Sequence, residues 1–451
     1  MRLLFSFVGG HGHLRPLLPF ARAARAAGHQ VTVLGPAYLA PVVEAAGLTA
    51  VAVGKASTQP PPRRPLRERD PAREERDLRE IFAGTVARAR VPLVRRLCAE
   101  WKPDVLVCDE VDFGAMIGAE SLGLPYASVQ VIAAGSFVRP EVVGPTLAGL
   151  RADHGLDPDP DLAMTHRWLV LSPVPPGFRD PAFPPPPTLH HVHPRVVDRP
   201  GSGKQRWRWD LARPDVPLVY ATLGTAFTTE CGDLFARILA ALGTLPANLL
   251  LTVGEHVDPA EFGPQPANVR VERFVPQEEV LPHCDLVLSH AGSGSVLGAL
   301  AHGLPMVLIP MGADQPDNAG RCARLGVARV LDPVRATPEQ IRDAVREVLA
   351  DPDHRRAAQR LRDEMTTAPG AAHAVALLER LAVERRPMID EPLDDRAGGA
   401  RLRALDPEDW RLWRVARLAA LAEAPYAFGS QLADWQGPGD REERWRSRLS
   451  L

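Results

Sequence analysis

Leu3 to Val8 is an unbroken apolar run, the pattern of a strand covered on both faces in a parallel sheet. From Leu14 to Ala27 apolar residues recur at helical spacing, Leu17, Leu18, Phe20, Ala21 and Ala24 among them, and Gly28 closes the run as a C-cap. "HQVTVLG" predicts the next strand. A strand, helix and strand in this order need a crossover, which implies parallel pairing. "PDVLVCD" (Pro103 to Asp109) and "YASVQVI" predict further strands, with the helix "FGAMIGAESLG" between them.

A second series starts at Val216. "PLVYATLGT" predicts a strand and glycine turn, Asp233 to Gly243 a helix, and "NLLLTVG" a strand, and "DLVLSHAGSGSVLGALAHGLPMVLIPMG" repeats the plan. The chain therefore carries two α/β sheets in succession. Between them, Ser172 to Lys204 is dense in proline, which predicts an inter-domain region without regular structure. Gln59 to Asp77 is a charged, proline-broken insertion, expected as an exposed loop or short helix beside the first domain's cleft. "DPDPD" at Asp157 to Asp161 has the D-x-D form of a metal site, but it lies in a proline-punctuated loop rather than at a strand end. After Pro387 the composition becomes linker-like.

With 451 residues, 45% hydrophobic and 24% charged, the chain has material for two or three domains. A net charge of −2 gives no electrostatic case for nucleic acid or an anionic membrane. Positive charge is nearly all Arg, with Lys55, Lys102 and Lys204 the only lysines. Cys98, Cys108, Cys231, Cys284 and Cys322 are scattered and form no C-x-x-C, so neither a zinc site nor a disulfide frame is expected. "LLFSFV" meets Gly9-Gly10 too soon for a signal peptide, and no apolar stretch approaches the ~18 residues of a membrane span. The expectation is a cytoplasmic protein.

In "LSHAGSGSVLGAL" an apolar strand ends at Ser289, small residues follow, and a helix resumes near Ser295. Small residues let backbone N–H groups approach a ligand, and the helix presents its positive end, so an anion such as a diphosphate is favoured. Neither G-x-G-x-x-G nor G-x-x-x-x-G-K-[ST] is satisfied, which removes the usual dinucleotide and P-loop readings. At the other end of the chain, His11 and His13 sit among glycines directly after the first strand.

The stretch "RFVPQEEVLPHCDLVLSHAGSGSVLGALAHGLPMVLIPMGADQPDNA" resembles the donor-binding signature of the GT-B fold, family 1 nucleotide-sugar glycosyltransferases. The likeness is to the bacterial antibiotic and natural-product branch, macrolide and enediyne type, and covers roughly residues 1 to 385. It implies two facing Rossmann-like, doubly wound parallel-sheet domains with a cleft between them and a short helical C-terminal extension. Residues 1–200 are then the acceptor-binding domain, 201–390 the donor-binding domain and 391–451 a linker and appendage. By the resemblance, Phe274, Val275 and Gln277 meet the nucleobase. His290, Gly292, Gly294 and Ser295, with Gly224 and Thr225, hold the diphosphate. Asp314 and Gln315 bind the sugar hydroxyls. Where many relatives carry a ribose-binding Glu, this chain has Gly298.

The family's G-H-x-x-P turn is Gly12 to Pro16 here, which makes His13 the general base. An imidazole with an ordinary pKa of ~6.5 can take a hydroxyl proton near neutral pH. Asp109, at the end of its strand, matches the orienting carboxylate; Glu110 and Asp112 are close rivals, Asp104 reads as structural, and His11 at most supports. The implied activity is an inverting, metal-independent O-glycosyl transfer of a hexose or deoxyhexose from a UDP- or dTDP-sugar to a hydroxylated small natural product. No cofactor is expected beyond that co-substrate, no nucleic-acid or membrane partner, and a homodimer is allowed for. Two alternatives stand beside it: a non-catalytic binding or activator protein, and a GT-B epimerase or lipid-linked sugar transferase. Arg401 to Ser447 resembles the opening of a GNAT acetyltransferase domain whose acetyl-CoA-binding strand does not follow, which implies a remnant without acetyl transfer.

Overall fold

The computed structural model describes residues 1–55, 62–193, 215–225 and 227–390, with residues 407, 410, 413, 414, 417, 418 and 440–447 of the tail. Contacts divide the chain into one unit of residues 1–390 and a second of 391–451. The first unit holds two parallel sheets. One comprises β1 (Arg2–Ser6), β2 (Gln30–Pro36), β3 (Thr49–Val53), β4 (Val105–Asp109), β5 (Tyr126–Val129), β6 (Leu169–Ser172) and β7 (Leu189–His191), in the order β3-β2-β1-β4-β5-β6-β7. Its helices are α1 (His11–Ala26), α2 (Ala40–Ala45), α3 (Pro71–Asp77), α4 (Ala87–Trp101), α5 (Phe113–Glu120) and α6 (Pro140–Asp153).

The other sheet comprises β8 (Leu218–Thr222), β9 (Asn248–Thr252), β10 (Val269–Glu272), β11 (Leu286–Ser289), β12 (Met306–Leu308) and β13 (Ala328–Val330), ordered β10-β9-β8-β11-β12-β13. With it run α7 (Leu234–Leu242), α8 (Gln277–Val280), α9 (Ser293–Ala301), α10 (Gln315–Arg324), α11 (Pro338–Ala350), α12 (Pro352–Thr367) and α13 (Ala371–Glu384). Both orders reverse once, at β1/β4 and at β8/β11, and such switch points open a crevice at the carboxyl ends of the strands. The central strands are apolar on both faces because helices cover both: Leu3, Leu4, Phe5 and Val105 to Val107 are all buried.

Several expectations need correction. Helix α1 begins at His11, three residues before its apolar period does. Its first turn faces a cavity rather than core, so those positions carry no hydrophobic signal. The proline-dense segment is not devoid of regular structure, since β7 lies within it and pairs with β6 through Val170 and Leu189. Prolines flank that strand without interrupting it. The rest of the segment from 194, including the 200/201 boundary, lies outside the described residues.

The charged insertion does not merely flank the first sheet. From residue 62 it runs across to the second: Arg63 donates two 2.6 Å bonds to Glu261, the Arg64 N–H donates to the Thr229 carbonyl at 2.7 Å, and Leu66 packs at the edge of the second core. It then forms α3 and a wide π-type turn (Leu78–Val86) leading into α4. Helix α13 crosses the other way. It follows the second sheet in sequence, yet Ala374, Val375, Leu377, Leu378 and Leu381 are buried in the first core.

Asp159 of "DPDPD" accepts bonds from the Ala163 and Met164 N–H groups, a loop-closing role. All five cysteines are buried and free. Among the described residues no helix is long and apolar enough to cross a membrane. In the tail unit, Trp445 of α14 (Glu442–Ser447) is buried against Trp410, Trp413 and Leu418. Most of the acetyltransferase-like stretch Arg401 to Ser447 lies outside the described residues.

Candidate active site

The carboxyl ends of the two sheets enclose a cavity of about 540 Å³. His13, Gly224, Thr225, Gln277, His290, Gly292, Gly294, Ser295, Asp314 and Gln315, far apart in sequence, all line it. Its apolar wall comes from Phe82, Ile132 and Phe137 of the first sheet's loops and from Phe227 and Met311 of the second's.

On the first side, His13 sits in the opening turn of α1 with Nδ1 3.4 Å from Asp109 Oδ2, a charge contact longer than a good hydrogen bond. The Phe82 ring stacks over the imidazole at 6.2 Å. Gly9, at φ +89°, is required twice over, because a Cβ there would fall 2.6 Å from the ring of His13. Burial pulls the imidazole pKa down, but the adjacent Asp109 carboxylate, with Asp314 and Glu110 behind it, outweighs it and the net shift is upward. Asp109 is fully buried at the end of β4, where the N–H groups of Val8 and Val111 each donate to it at 2.8 Å. Those bonds fix the direction in which the carboxylate points.

The rival acids have other tasks. Asp112 accepts from the Ser6 hydroxyl, caps α5 through the Ala115 N–H and faces Arg90 at 3.6 Å. Glu110 accepts from the N–H groups of Val131 and Ile132, and burial pushes its pKa up to about 7. Asp104 accepts from the Arg2 N–H at the far end of the sheet. His11 lines the cavity, and burial followed by the nearby Arg15 charge lowers its pKa.

On the second side, β11 delivers His290, Ala291 and Gly292, and α9 starts at Ser293. The imidazole of His290 is wedged between two glycines: a Cβ at Gly224 (φ +76°) or Gly292 would fall 2.5 or 2.4 Å from its Nε2. Among the described residues no carboxylate pairs with this histidine. Burial alone brings its pKa down to about 4, so it is neutral at neutral pH and can offer a hydrogen bond but not a charge. At the start of α9 the Ser295 N–H donates to the Gly292 carbonyl at 2.9 Å, and Ser293 and Gly294, which line the cavity, precede the first intrahelical bond.

Asp314 is partly buried, and its Oδ2 accepts from the Ser293 hydroxyl at 2.6 Å and the Asn318 amide at 2.8 Å. Gln315 gives its carbonyl oxygen to the Met311 and Gly312 N–H groups, leaving its NH₂ for a ligand. Ala291 and Ala313, at φ +65° and +54°, are non-glycine residues in left-handed conformation, one in each loop of this wall.

The three residues expected to meet the nucleobase, Phe274, Val275 and Gln277, stand in different surroundings. Gln277 lines the cavity, whereas Val275 is buried in the core beneath α9 and its side chain is not offered to a ligand. Phe274 lies outside the cavity lining, half exposed, with the Arg15 guanidinium 5.4 Å above its ring. At Gly298 an added Cβ would stand 3.4 Å from Gln277 Oε1 and 3.1 Å from Leu281, so those side chains fill the place a larger residue would take.

Three contributors escaped the sequence reading. Ser293 and Asn318 tie the two sheets together: the Ala133 N–H donates to the Ser293 hydroxyl and the Ala134 N–H to the Asn318 carbonyl oxygen. Asn318, four residues after Asp314 on a helix, carried the spacing that could have shown it. Glu74, from the charged insertion, also lines the cavity. Among the described residues no group of three or more His, Cys, Asp or Glu is placed to hold a metal ion.

Residues 236–381 match the family model described as erythromycin biosynthesis protein CIII-like, C-terminal domain. The chain is 30% identical to the 3-alpha-mycarosylerythronolide B desosaminyl transferase of Saccharopolyspora erythraea, an alignment covering 86% of this chain and 99% of that protein. It is 29% identical to the oleandomycin glycosyltransferase of Streptomyces antibioticus, covering 87% and 95%. Among solved structures, spinosyn rhamnosyltransferase SpnG complexed with thymidine diphosphate aligns with a TM-score of 0.68 and 28% identity, over 84% of this chain and 100% of that one.

Proposed function

This chain belongs to the GT-B glycosyltransferases of antibiotic biosynthesis, and from that premise we propose that it transfers a deoxyhexose or hexose, with inversion, from a nucleoside-diphosphate sugar to a hydroxyl of a small natural product. Relatives named for desosamine and rhamnose transfer favour a deoxysugar, and the neighbour solved with thymidine diphosphate favours dTDP over UDP as its carrier.

His13 is the general base. With Nδ1 turned to Asp109, its Nε2 takes the proton as the acceptor oxygen attacks the anomeric carbon, and Asp109 holds the tautomer and steadies the imidazolium. Attack comes from the side opposite the diphosphate. The leaving group gathers charge against the first N–H groups of α9, the Ser295 hydroxyl, the Gly224–Thr225 turn and neutral His290, with no metal ion in the step. Asp314 and the amide of Gln315 hold the sugar hydroxyls.

The single observation that carries this reading is the opposition, across one cavity, of a carboxylate-backed imidazole and a glycine-lined helix start. Calorimetric titration with dTDP and UDP, followed by NMR of the product's anomeric centre, tests it. Binding of a diphosphate and an inverted product are expected; a retained configuration overturns the mechanism.

A further inference from the structure

The charged insertion brings one carboxylate into the sugar end of the cavity. Glu74 sits on α3, its side chain only 16% exposed. Its Oε1 lies 3.3 Å from where a Cβ on Gly312 would stand, so a side chain at 312 would press the carboxylate back by a few tenths of an ångström. Gly312 begins the turn that carries Ala313, Asp314 and Gln315, and Glu74, Asp314 and Gln315 line the same cavity. A group of the acceptor-side domain thus stands beside the pair that holds the sugar.

Its existing partners do not use up its capacity. Arg69 Nε is 3.4 Å away, and the same guanidinium is shared with Asp317 at 3.9 Å. A carboxylate can accept about four hydrogen bonds. Burial raises the pKa of Glu74 even though Arg69 and a hydrogen bond from the Ala313 backbone act to lower it.

We propose that Glu74 is a specificity-determining residue of the sugar subsite, accepting a hydrogen bond from the donor-sugar hydroxyl that faces the first domain. A sugar with that hydroxyl satisfies the carboxylate; a sugar deoxygenated there leaves it buried and short of a partner. Selection between hydroxyl and deoxy therefore acts at one carbon, through a carboxylate that the first domain's insertion brings beside Asp314 and Gln315. This rests on the donor-sugar reading above.

The test is calorimetric and needs no acceptor. Dissociation constants are measured for dTDP, dTDP-glucose and its four monodeoxy analogues, with the wild type, Glu74→Ala and Arg69→Ala. In the wild type one analogue is expected to bind about 10- to 100-fold more weakly than dTDP-glucose, as suits a hydrogen bond to a charged group. In Glu74→Ala that single penalty shrinks to within about threefold, the other penalties persist and dTDP binds as before. Arg69→Ala, which loosens the insertion but keeps the carboxylate, retains the penalty. The proposal is overturned if Glu74→Ala weakens all sugars by one factor, changes none, or is matched by Arg69→Ala. A wild type that binds neither dTDP nor its sugars instead overturns the reading beneath.

Discussion

The two sheets present their histidines in nearly the same way: a strand ends, a left-handed turn follows, glycine clears space for the ring, and a helix begins. His13 follows β1 and packs against Gly9; His290 follows β11 and packs between Gly224 and Gly292. Among the described residues, only His13 of the two pairs with a carboxylate. That difference sends one pKa upward and leaves the other at about 4. A shared local frame therefore holds each imidazole, and the residue behind it decides which way its pKa moves.

Removing the proton acceptor is the strongest way to break the comparison. His13→Ala should lower the transfer rate by about 10²- to 10⁴-fold while the dissociation constant for dTDP stays within about threefold; loss of nucleotide binding would contradict the separation of roles. Asp109→Asn comes next, at about 10²-fold near pH 7. Because a base must be unprotonated to act and Asp109 raises the pKa of His13, the acid limb of kcat/KM should lie above pH 6.5 in the wild type and move to lower pH in this variant.

His290→Asn sharpens the other half. It should weaken dTDP binding by about tenfold, the loss of one hydrogen bond to a charged group, with a smaller change in rate at saturating donor. A stability effect accompanies it. His290 has a lower pKa folded than unfolded, so between pH 6.5 and about 4 the unfolded chain binds the extra proton and stability falls as the pH drops. This costs the wild type about 2 kcal/mol at pH 5 relative to neutrality, and thermal melts of the variant should lack that loss. The smallest effect expected is from Arg63→Ala. Its pair with Glu261 is 57% and 40% exposed, so stability should change little, and by less still at high salt.

Strands buried on both faces were legible because an unbroken apolar run leaves few alternatives, and the loops at their ends were legible because small residues there have few structural reasons to recur. What escaped depends on contacts that leave no local pattern. Nothing in "QPPPRRPLRERDPAREERD" says that Arg63 will meet Glu261 or that Glu74 will reach Gly312. The first turn of α1 is polar because it faces a cavity, and so reads as loop. Val275 and Phe274 are neighbours in a recognisable segment, yet one turns into the core and the other toward Arg15. Only the packing around them could tell them apart.

Helix α13 ends the second half of the chain in sequence and completes the first half in space. Any scheme that builds hybrids by trading donor-side halves between relatives must therefore cut twice, before the second sheet and again near residue 370. A single crossover would bring a foreign helix against Leu14, Leu17 and their neighbours, and the hybrid would fail in the core around its first sheet.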